Sequence, residues 1–281
     1  MKRALTKSGA WSKGQREERS AMMRGLWTAA TGMTGQQMNL DVIANNLANV
    51  NTNGFKKSRA EFQDLLYQTH RFPGTETAGG QEIPIGIQVG MGTRPIAIQK
   101  MFTQGDYVQT QGQLDMAIEG DGFFRILRNG EELYTRTGAF KLNSEGTIVD
   151  AEGNALQPEY TVPAEAVDVS IDSGGNIVAV DEAGTELATG RLTLVRFVNP
   201  SGLYAIGKNL FRPTEASGEP VEGNPGEEGY GTIAQGFLEM SNVDVVTEMV
   251  QMIVAQRAYE INSKAIQTSD EMLSIANNLK R

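Results

Sequence analysis

The chain contains no cysteine among its 281 residues. Disulfide frameworks, thiolate catalysis and cysteine-based metal sites are therefore excluded. Histidine is almost as scarce, because His70 is the single one and lies beside Arg71. A Ser-His-Asp arrangement needs a histidine held between a nucleophile and a carboxylate, and nothing around His70 indicates one. The absence of cysteine also suits a protein that leaves the cytoplasm unfolded.

Long apolar runs and excess positive charge are also missing. No run approaches the about 18 apolar residues that a membrane-spanning helix needs, so the sequence predicts a protein that does not span a membrane. The formal net charge is -9, which argues against a general nucleic-acid binder. We therefore expect neither a nucleic-acid partner nor a transmembrane segment.

The first residues differ from the rest of the chain. Residues 1–21 carry six Lys or Arg and two Glu, so the remainder has a net charge of -9 - (+4) = -13. They lack the continuous apolar stretch and the small-residue cleavage site of a secretory signal. The sequence predicts that residues 1–22 are a disordered extension and that the functional part begins at Met22 or Met23.

A heptad pattern follows, with an apolar residue at every seventh position. Its first row is Leu26, Met33, Leu40 and Leu47. A second row, broken by Gln36, contains Ala29, Ile43 and Val50. These rows occupy the a and d positions of a helix that packs in a coiled-coil manner, and we predict a helical segment over residues 23–53.

The C-terminal segment is more apolar. One heptad row is Met252, Tyr259, Ile266 and Leu273. Another stripe is Val243, Val246, Val250, Val254, Ala258, Ile261, Ala265, Met272, Ile275 and Leu279. Within one monomer, a hairpin of two helices would cover one stripe and leave the other open. We therefore predict that the helical domain of residues 23–53 and 238–281 packs against other copies of the chain.

Asparagines are concentrated at the end of the first helical segment, in A-N-N-L-A-N-V-N-T-N-G-F-K over residues 44–56. The letters A-N-N-L return at residues 276–279. Amides donate and accept hydrogen bonds at once and can fix register between neighbouring helices. We predict this role for Asn45, Asn46 and Asn49, whereas Asn53-Gly54 is typical of a helix stop.

The middle of the chain has short alternating runs and many of the 32 glycines. Residues 116–127 are typical of strand, tight turn, strand, and residues 140–153 and 169–184 predict two related hairpins. The fold class is α+β, with an antiparallel β-rich outer domain over residues 86–237. Residues 54–85 are predicted to be an extended arm or linker, with contacts through Tyr67, Arg71 and Phe72.

Motifs for catalysis or cofactor binding are weak. The glycines at 86, 90 and 92 lack the following Lys-Ser/Thr of a phosphate loop. Residues 150–154 and 172–176 lack the spacing of a calcium loop, and Asx-Gly turns account for both. No carboxylate pair is singled out for glycoside hydrolysis. We expect no enzyme, no cofactor and no metal.

Three separated motifs resemble the bacterial flagellar rod and hook family. They are the 44–56 stretch, L-D-M-A-I-E-G-D-G-F-F at 114–124, and the long segment S-N-V-D-V-V-T-E-M-V through D-E-M-L at 241–273. The resemblance extends from about Met23 to Leu279. Within the family, the length and the arm segment at 62–74 are most similar to the distal rod members, whereas hook proteins carry an extra outer domain.

The resemblance implies a subunit exported by the flagellar type III apparatus without a cleaved signal. Subunits would stack helically, under a rod cap, into a hollow rod that crosses the periplasm to the outer membrane and transmits torque. The terminal helices would line the tube, and the β domain would face the P-ring and L-ring proteins. Further partners would be proximal rod proteins and hook protein or hook-junction subunits. Two alternatives stay open, a proximal rod subunit and a ligand-binding β domain with helical oligomerisation ends.

Overall fold

The computed structural model describes residues 5–74 and 84–278. The chain forms two compact units. The helical unit contains the residues up to Asn45, Arg59–Gln99 and the residues from Val246 onward. The β unit contains Asn46–Ser58 and Lys100–Val245. Part of the predicted arm, residues 75–83, and Leu279 at the end of the repeated A-N-N-L lie outside the described residues.

Helix α1 comprises Leu5–Ala48. The predicted disorder of residues 1–22 therefore differs from the structure, in which the backbone is helical from Leu5 onward, while residues 1–4 lie outside the described part. This segment is rich in Ala, Lys, Arg, Gln and Glu, which are strong helix formers, and elongation of an existing helix is much easier than its nucleation. At its other end the helix stops before the predicted Asn53-Gly54, and Gly54 has a φ of +68° in the turn that follows.

Helix α2 comprises Val245–Asn278, so its start lies seven residues inside the predicted boundary at 238. Glu248 in its first turn suits the positive end of the helix dipole. The long helices at both ends of the chain are confirmed. Among the described residues, no helix is both long and apolar enough to cross a membrane.

In the described part of the chain, twenty short strands lie between the two helices in sequence. In chain order, β1–β20 are Ser58–Asp64, Tyr67–Arg71, Ile87–Gly90, Thr93–Lys100, Tyr107–Gln109, Met116–Glu119, Phe124–Arg128, Glu131–Thr135, Lys141–Leu142, Ile148–Val149, Ala155–Gln157, Asp168–Ile171, Asn176–Val180, Glu186–Arg191, Leu194–Arg196, Tyr204–Gly207, Leu210–Arg212, Val221–Gly223, Thr232–Gln235 and Phe237–Glu239. A short 3-10 helix, Pro200–Gly202, precedes β16.

The strands form small antiparallel sheets. The largest has seven strands in the order β16-β17-β8-β7-β11-β10-β9, and a three-stranded sheet has the order β12-β13-β14. Five two-stranded sheets pair β1 with β4, β2 with β3, β15 with β18, β19 with β6, and β20 with β5. The α+β class with an antiparallel β-rich centre is thus confirmed.

The two related hairpins are confirmed as β9-β10 and β12-β13. Their turns contain Gly146 and Gly175, with φ of +79° and +78°. Residues 116–127 form two strands joined by a turn, as predicted, but the two strands do not pair with each other, because β6 pairs with β19 and β7 pairs with β8 and β11. Gly120 and Gly122 have positive φ and redirect the chain between two sheets, which local alternation does not reveal.

The core of the β unit consists of alternate strand residues. Met116, Ile118, Phe124 and Ile126 are fully buried, and they pack with Val169, Ile171, Ile177 and other aliphatic side chains. A second cluster contains Phe123, Tyr134, Val195, Phe197, Leu203 and Phe211. Its rings meet edge to face, as for Tyr134 and Phe197 with centroids 4.9 Å apart.

The division into units differs from the predicted domain boundaries. Residues 54–58, predicted to belong to the arm, lie in the β unit, and so do residues 238–245, predicted to be part of the helical domain. Residues 86–99, predicted to belong to the β domain, lie in the helical unit. Polar contacts of Lys56 and Asn242, described below, account for the first two differences.

Candidate assembly surface

The heptad rows of helix α1 lie on the side of the helix that other residues cover. Leu26, Met33, Leu40 and Leu47 are half-buried, and residues of the second row, Ala29 and Ile43, are buried. The predicted periodicity therefore identifies the covered face of α1. Its assembly role remains a prediction.

Helix α2 has the same arrangement on its heptad side. Met252, Ile266 and Leu273 are half-buried, while Tyr259 is 38% exposed. Ala255 lies on this side and is buried. The heptad rows thus identify the covered face of both helices.

Within the helical unit, α1 and α2 meet at Gly32 and Asn262. A Cβ atom added to Gly32 would lie 2.9 Å from Asn262 Nδ2, so a larger residue there would require the Asn262 side chain to move. Small residues permit such close approach of a helix to a neighbouring side chain. The glycine that weakens α1 as an isolated helix therefore serves the packing of the unit.

The opposite face of α2 is apolar and open. It carries the α2 stripe, which we define as Val246, Val250, Ile253, Val254, Ile261 and Ile275, all exposed. At about 100° per residue, these six side chains occupy roughly 100° of the helix circumference. Val246 is 70% exposed and Ile261 is 65% exposed. Three of the predicted assembly residues, Val250, Val254 and Ile261, lie in this stripe.

The asparagines divide into two kinds. Asn45 is exposed and Asn49 half-buried, whereas Asn46 is 2% exposed. The Asn46 Nδ2 donates to the Ser58 carbonyl at 2.9 Å, and the Asn46 Oδ1 accepts from the Ser58 N–H at 2.8 Å. The predicted role between subunits is thus corrected for Asn46. Its amide pairs with both backbone groups of Ser58, the first residue of β1, and so satisfies them.

The predicted arm contains strands β1 and β2, and β2 forms a hairpin with β3, which lies just after the arm. Strand β2 pairs with β3, and Tyr67 and Arg71 belong to β2 while Phe72 follows it. All three side chains are exposed. The Arg24 Nη1 of α1 donates to the Gln68 Oε1 at 2.7 Å and ties the hairpin to the helix. The contacts predicted for Tyr67, Arg71 and Phe72 remain predictions.

A buried ionic cluster in the β unit was not predicted. The Lys56 Nζ lies 2.6 Å from Glu239 Oε1, and the Arg136 Nε lies 3.0 Å from Glu239 Oε2. The Lys56 Nζ also donates to the Thr103 carbonyl at 2.8 Å, and the Arg136 Nη1 donates to the Gly120 and Gly122 carbonyls. All three charged side chains are at most 5% exposed.

The cluster determines the charge of Glu239. Burial by itself raises the pKa of its carboxyl, but Arg136 and Lys56 outweigh burial, and the N–H of Gly105 donates to the same carboxylate. The pKa of Glu239 is therefore held below its ordinary value, and the group is ionised at neutral pH. With its donors directed to carbonyls and carboxylate, the cluster joins segments of the chain.

Asn242 adds a second joint beside the cluster. Its Oδ1 accepts from the Lys57 N–H at 2.8 Å, and its Nδ2 donates to the Met101 and Thr103 carbonyls at 2.9 and 3.0 Å. Neither Lys56 nor Asn242 belongs to a periodic pattern. Their position within the motifs at 44–56 and 241–273 was the one available signal.

The described residues offer no group of three or more His, Cys, Asp or Glu placed to hold a metal. A cavity of about 180 Å³ in the β unit is lined by Phe102, Phe123, Arg196 and Pro200, among others. Small-molecule sites usually measure about 300 Å³ or more.

Along the chain, a β-rich region lies between two long terminal helices, and α2 carries a second, exposed apolar face. These features are typical of a structural subunit that assembles with copies of itself, and three family models agree. "Flagella basal body rod protein" matches residues 26–56, and "Flagellar hook protein FlgE/F/G D1 domain" matches residues 117–179. "Flagellar basal body rod FlgEFG protein C-terminal" matches residues 234–279. The chain belongs to the flagellar basal-body rod protein family.

Curated relatives support this membership over most of the chain. The flagellar basal-body rod protein FlgG of Borreliella burgdorferi is 54% identical and aligns with 92% of this chain and 100% of its own. FlgG of Agrobacterium fabrum is 47% identical over 92% and 100% of the two chains, and FlgG of Buchnera aphidicola subsp. Acyrthosiphon pisum is 46% identical over 90% and 98%. The solved Helicobacter pylori hook protein FlgE2 aligns at 13% identity and a TM-score of 0.22, covering 66% of this chain and 43% of its own.

Proposed function

We propose that this chain polymerises helically into the rigid, hollow distal rod of the bacterial flagellum and carries motor torque to the hook. As a family member with FlgG relatives at 45–54% identity, it is a structural subunit of the distal rod. Its place is the flagellar basal body. The family is a structural one, and our proposal includes no catalytic step and no cofactor.

The observation that supports polymerisation is the α2 stripe. Six exposed aliphatic side chains on one helix face are unusual for a protein that works alone. Burying each one stabilises a contact by about 1.5 to 3 kcal/mol, so the stripe can provide on the order of 10 kcal/mol per subunit. This magnitude is sufficient to offset much of the cost of association. A polymer of identical chains supplies the cover at every subunit.

We extend the proposal to the inner layer of the tube. The terminal helices pair in a coiled-coil manner and line the tube, with assembly contacts from the predicted residues on both helices other than Asn46. The support is the covered heptad face of each helix and the close approach of Asn262 to Gly32. The strands of residues 86–237 would form the outer wall, and the hairpin with Tyr67, Arg71 and Phe72 would brace neighbouring subunits.

The position of the distal rod in the flagellum indicates which proteins would contact the subunit. We propose that proximal rod proteins lie at one end and hook protein or hook-junction subunits at the other. The P-ring and L-ring proteins would surround the rod, which would cross the periplasm to the outer membrane. Export would proceed through the flagellar type III apparatus without a cleaved signal, and a rod cap would direct assembly.

The alternatives have less support. A proximal rod subunit would share the fold, but the FlgG relatives favour the distal rod. A ligand-binding β domain with oligomerising ends would need a binding site. Two cavities in the described part of the β unit, of about 180 and 290 Å³, are smaller than the about 300 to 1,000 Å³ that small-molecule sites usually have.

Electron microscopy of the concentrated protein tests polymerisation. The full chain is compared with residues 46–245, a fragment that retains Lys56 and Glu239 and lacks both long helices. We expect straight hollow tubes from the full chain and none from the fragment. Monomers or small closed oligomers from the full chain at every concentration would contradict the proposal.

A further inference from the structure

The chain contains two Asn-Gly dipeptides, Asn53-Gly54 and Asn129-Gly130. Glycine after asparagine leaves the backbone nitrogen unhindered, because glycine has no Cβ. That nitrogen can attack the side-chain amide of the preceding asparagine, which makes Asn-Gly the dipeptide most prone to spontaneous deamidation. The structure places the two dipeptides in different surroundings, so the fold decides which of them reacts.

Asn129-Gly130 forms the tip of the hairpin between β7 and β8. Arg128 pairs with Glu131, so the loop contains only these two residues. Both have positive φ, +52° for Asn129 and +83° for Gly130, as in a type I′ turn. Both are exposed, and a Cβ added to Gly130 would meet nothing within 4 Å. The tip therefore lies in solvent and contacts no other segment closely.

The reacting groups at this tip are not held by hydrogen bonds. In the described part of the chain, neither the Asn129 side-chain amide nor the Gly130 N–H has a hydrogen-bond partner. Closure of the ring still requires the peptide group between the two residues to rotate out of the turn conformation. Only the tip has to open for this rotation, and exposed tips open at little cost in free energy.

Asn53-Gly54 is fixed on both sides of its peptide bond. Gly54 is buried, and its N–H, which carries the attacking nitrogen, donates to the Glu239 carbonyl at 2.8 Å. The Asn53 carbonyl accepts from Thr137 Oγ1 at 3.2 Å and from Asn209 Nδ2 at 3.0 Å. Rotation of this peptide group would break all three hydrogen bonds. Reaction at Asn53 therefore requires the surrounding β unit to open.

We infer that Asn129 is a site of spontaneous modification by water and that the fold protects Asn53 from the same reaction. The Gly130 nitrogen loses its proton to a solvent base and forms a bond with Asn129 Cγ. The bond from Cγ to Nδ2 breaks, and Nδ2 takes up a proton and leaves as ammonia. The product is a cyclic imide, and no oxidant or reductant takes part.

Water then opens the imide at one of its two carbonyl carbons. Attack at Cγ gives aspartate in a normal backbone, whereas attack at the main-chain carbonyl carbon gives isoaspartate, whose backbone contains an additional methylene group. Only isoaspartate lengthens the loop, and loop length fixes the register of a hairpin. It therefore strains the pairing of β7 with β8, two strands that contribute Phe124, Ile126, Leu133 and Tyr134 to the buried core.

Peptide mapping of the folded chain compares the two sites directly. The protein is incubated at mildly alkaline pH and digested under acidic conditions, and tandem mass spectrometry measures the acid and amide forms of each dipeptide. We expect Asn129 to convert at least about tenfold faster than Asn53, because its reaction needs only local opening. In guanidinium chloride, where the fold holds neither dipeptide, the two should convert at similar rates.

Asn129→Gly is the matched control, because Gly-Gly also fits a type I′ turn. This variant should form no acidic product at the hairpin tip, while Asn53 keeps its slow rate. Equal rates at the two sites of the folded chain would overturn the inference, and so would an unreactive Asn129 in a folded chain that reacts once unfolded. A rate ratio that persists in guanidinium chloride would show that local sequence, and not the fold, sets the difference.

The separated products test the effect on the hairpin. Anion exchange isolates the acidic fraction, and peptide mapping measures its isoaspartate content. The comparison is with Asn129→Asp, which adds the same charge in a normal backbone. We expect the isoaspartyl species to unfold at a lower urea concentration than Asn129→Asp, and identical midpoints would overturn the strain in β7 and β8. These measurements need no polymer, so their outcome is independent of the proposed function.

Discussion

Lys56 Nζ lies 2.6 Å from Glu239 Oε1, although 183 residues separate the two in the chain. Lys56 follows the turn at the end of α1, and Glu239 ends the last strand before α2. The backbone strengthens the same junction, since the Gly54 N–H donates to the Glu239 carbonyl at 2.8 Å. One buried carboxylate thus joins the entry and the exit of the β unit.

Loss of this carboxylate should destabilise the β unit. In Glu239→Gln, the buried cations Lys56 and Arg136 lose their common partner, and we expect a loss of about 3 to 5 kcal/mol. Hydrogen exchange at the amides of β6 under native conditions measures the effect. The control is Glu61→Gln, which removes an exposed ion pair with Arg59 and should change stability by less than about 1 kcal/mol. Equal effects of the two substitutions would contradict a special role for Glu239.

Stability should depend on pH through the same group. The folded-state pKa of Glu239 lies below its ordinary value of 4.5, so its contribution is complete above about that pH and is lost as the pH falls through the folded-state pKa. The difference in unfolding free energy between the unsubstituted chain and Glu239→Gln should therefore narrow below pH 4.5. Urea titrations between pH 3 and pH 7 measure it, and a constant difference across that range would contradict the assignment.

A charge placed in the α2 stripe should prevent assembly without harming the monomer. Ile261 is exposed, so Ile261→Asp should leave monomer stability within about 0.5 kcal/mol. Burying an unpaired carboxylate between subunits is costly, and we expect the critical concentration for tubes to rise at least a hundredfold. Light scattering and electron microscopy give the result. Gln256→Asp, exposed beside the stripe, is the control, and normal tubes from Ile261→Asp would count against the stripe.

Gly54 should tolerate no side chain. It combines a φ of +68° with a backbone contact, because an added Cβ would lie 2.8 Å from the Thr137 N. Gly54→Ala should cost more than about 2 kcal/mol. Gly153 has a φ of +85° and open space around an added Cβ, so Gly153→Ala isolates the conformational cost of about 1 kcal/mol. Thermal unfolding compares the two variants. Equal losses would show that the contact with Thr137 is unimportant.

The sequence predicted the features that arise from local periodicity. Leu26, Met33, Leu40 and Leu47 recur every seven residues, and their common face is the covered side of α1. Gly146 and Gly175 mark turns that only a positive φ permits, and both hairpins are present. The open stripe of α2 was also predictable, because a helix with two apolar faces needs more than one covering surface.

Contacts between segments that are distant in the chain could not be predicted from the sequence. Lys56, Arg136 and Glu239 have no common spacing, and only the fold brings two cations to one carboxylate. The same holds for β6, which pairs with β19 more than a hundred residues later instead of forming a hairpin with β7. Asn46 was recognised as special, yet the structure assigned its amide to Ser58 of the same chain.

By itself the sequence determined where helices and turns form, since these depend on neighbours within about four residues along the chain. The tertiary structure alone decided which polar groups satisfy one another and where the two units divide. Burial makes an unpaired charge or amide costly wherever its partner lies in the sequence. Lys56 and Asn242 therefore belong to the β unit, although Lys56 lies close to a segment predicted to be helical and Asn242 lies within one.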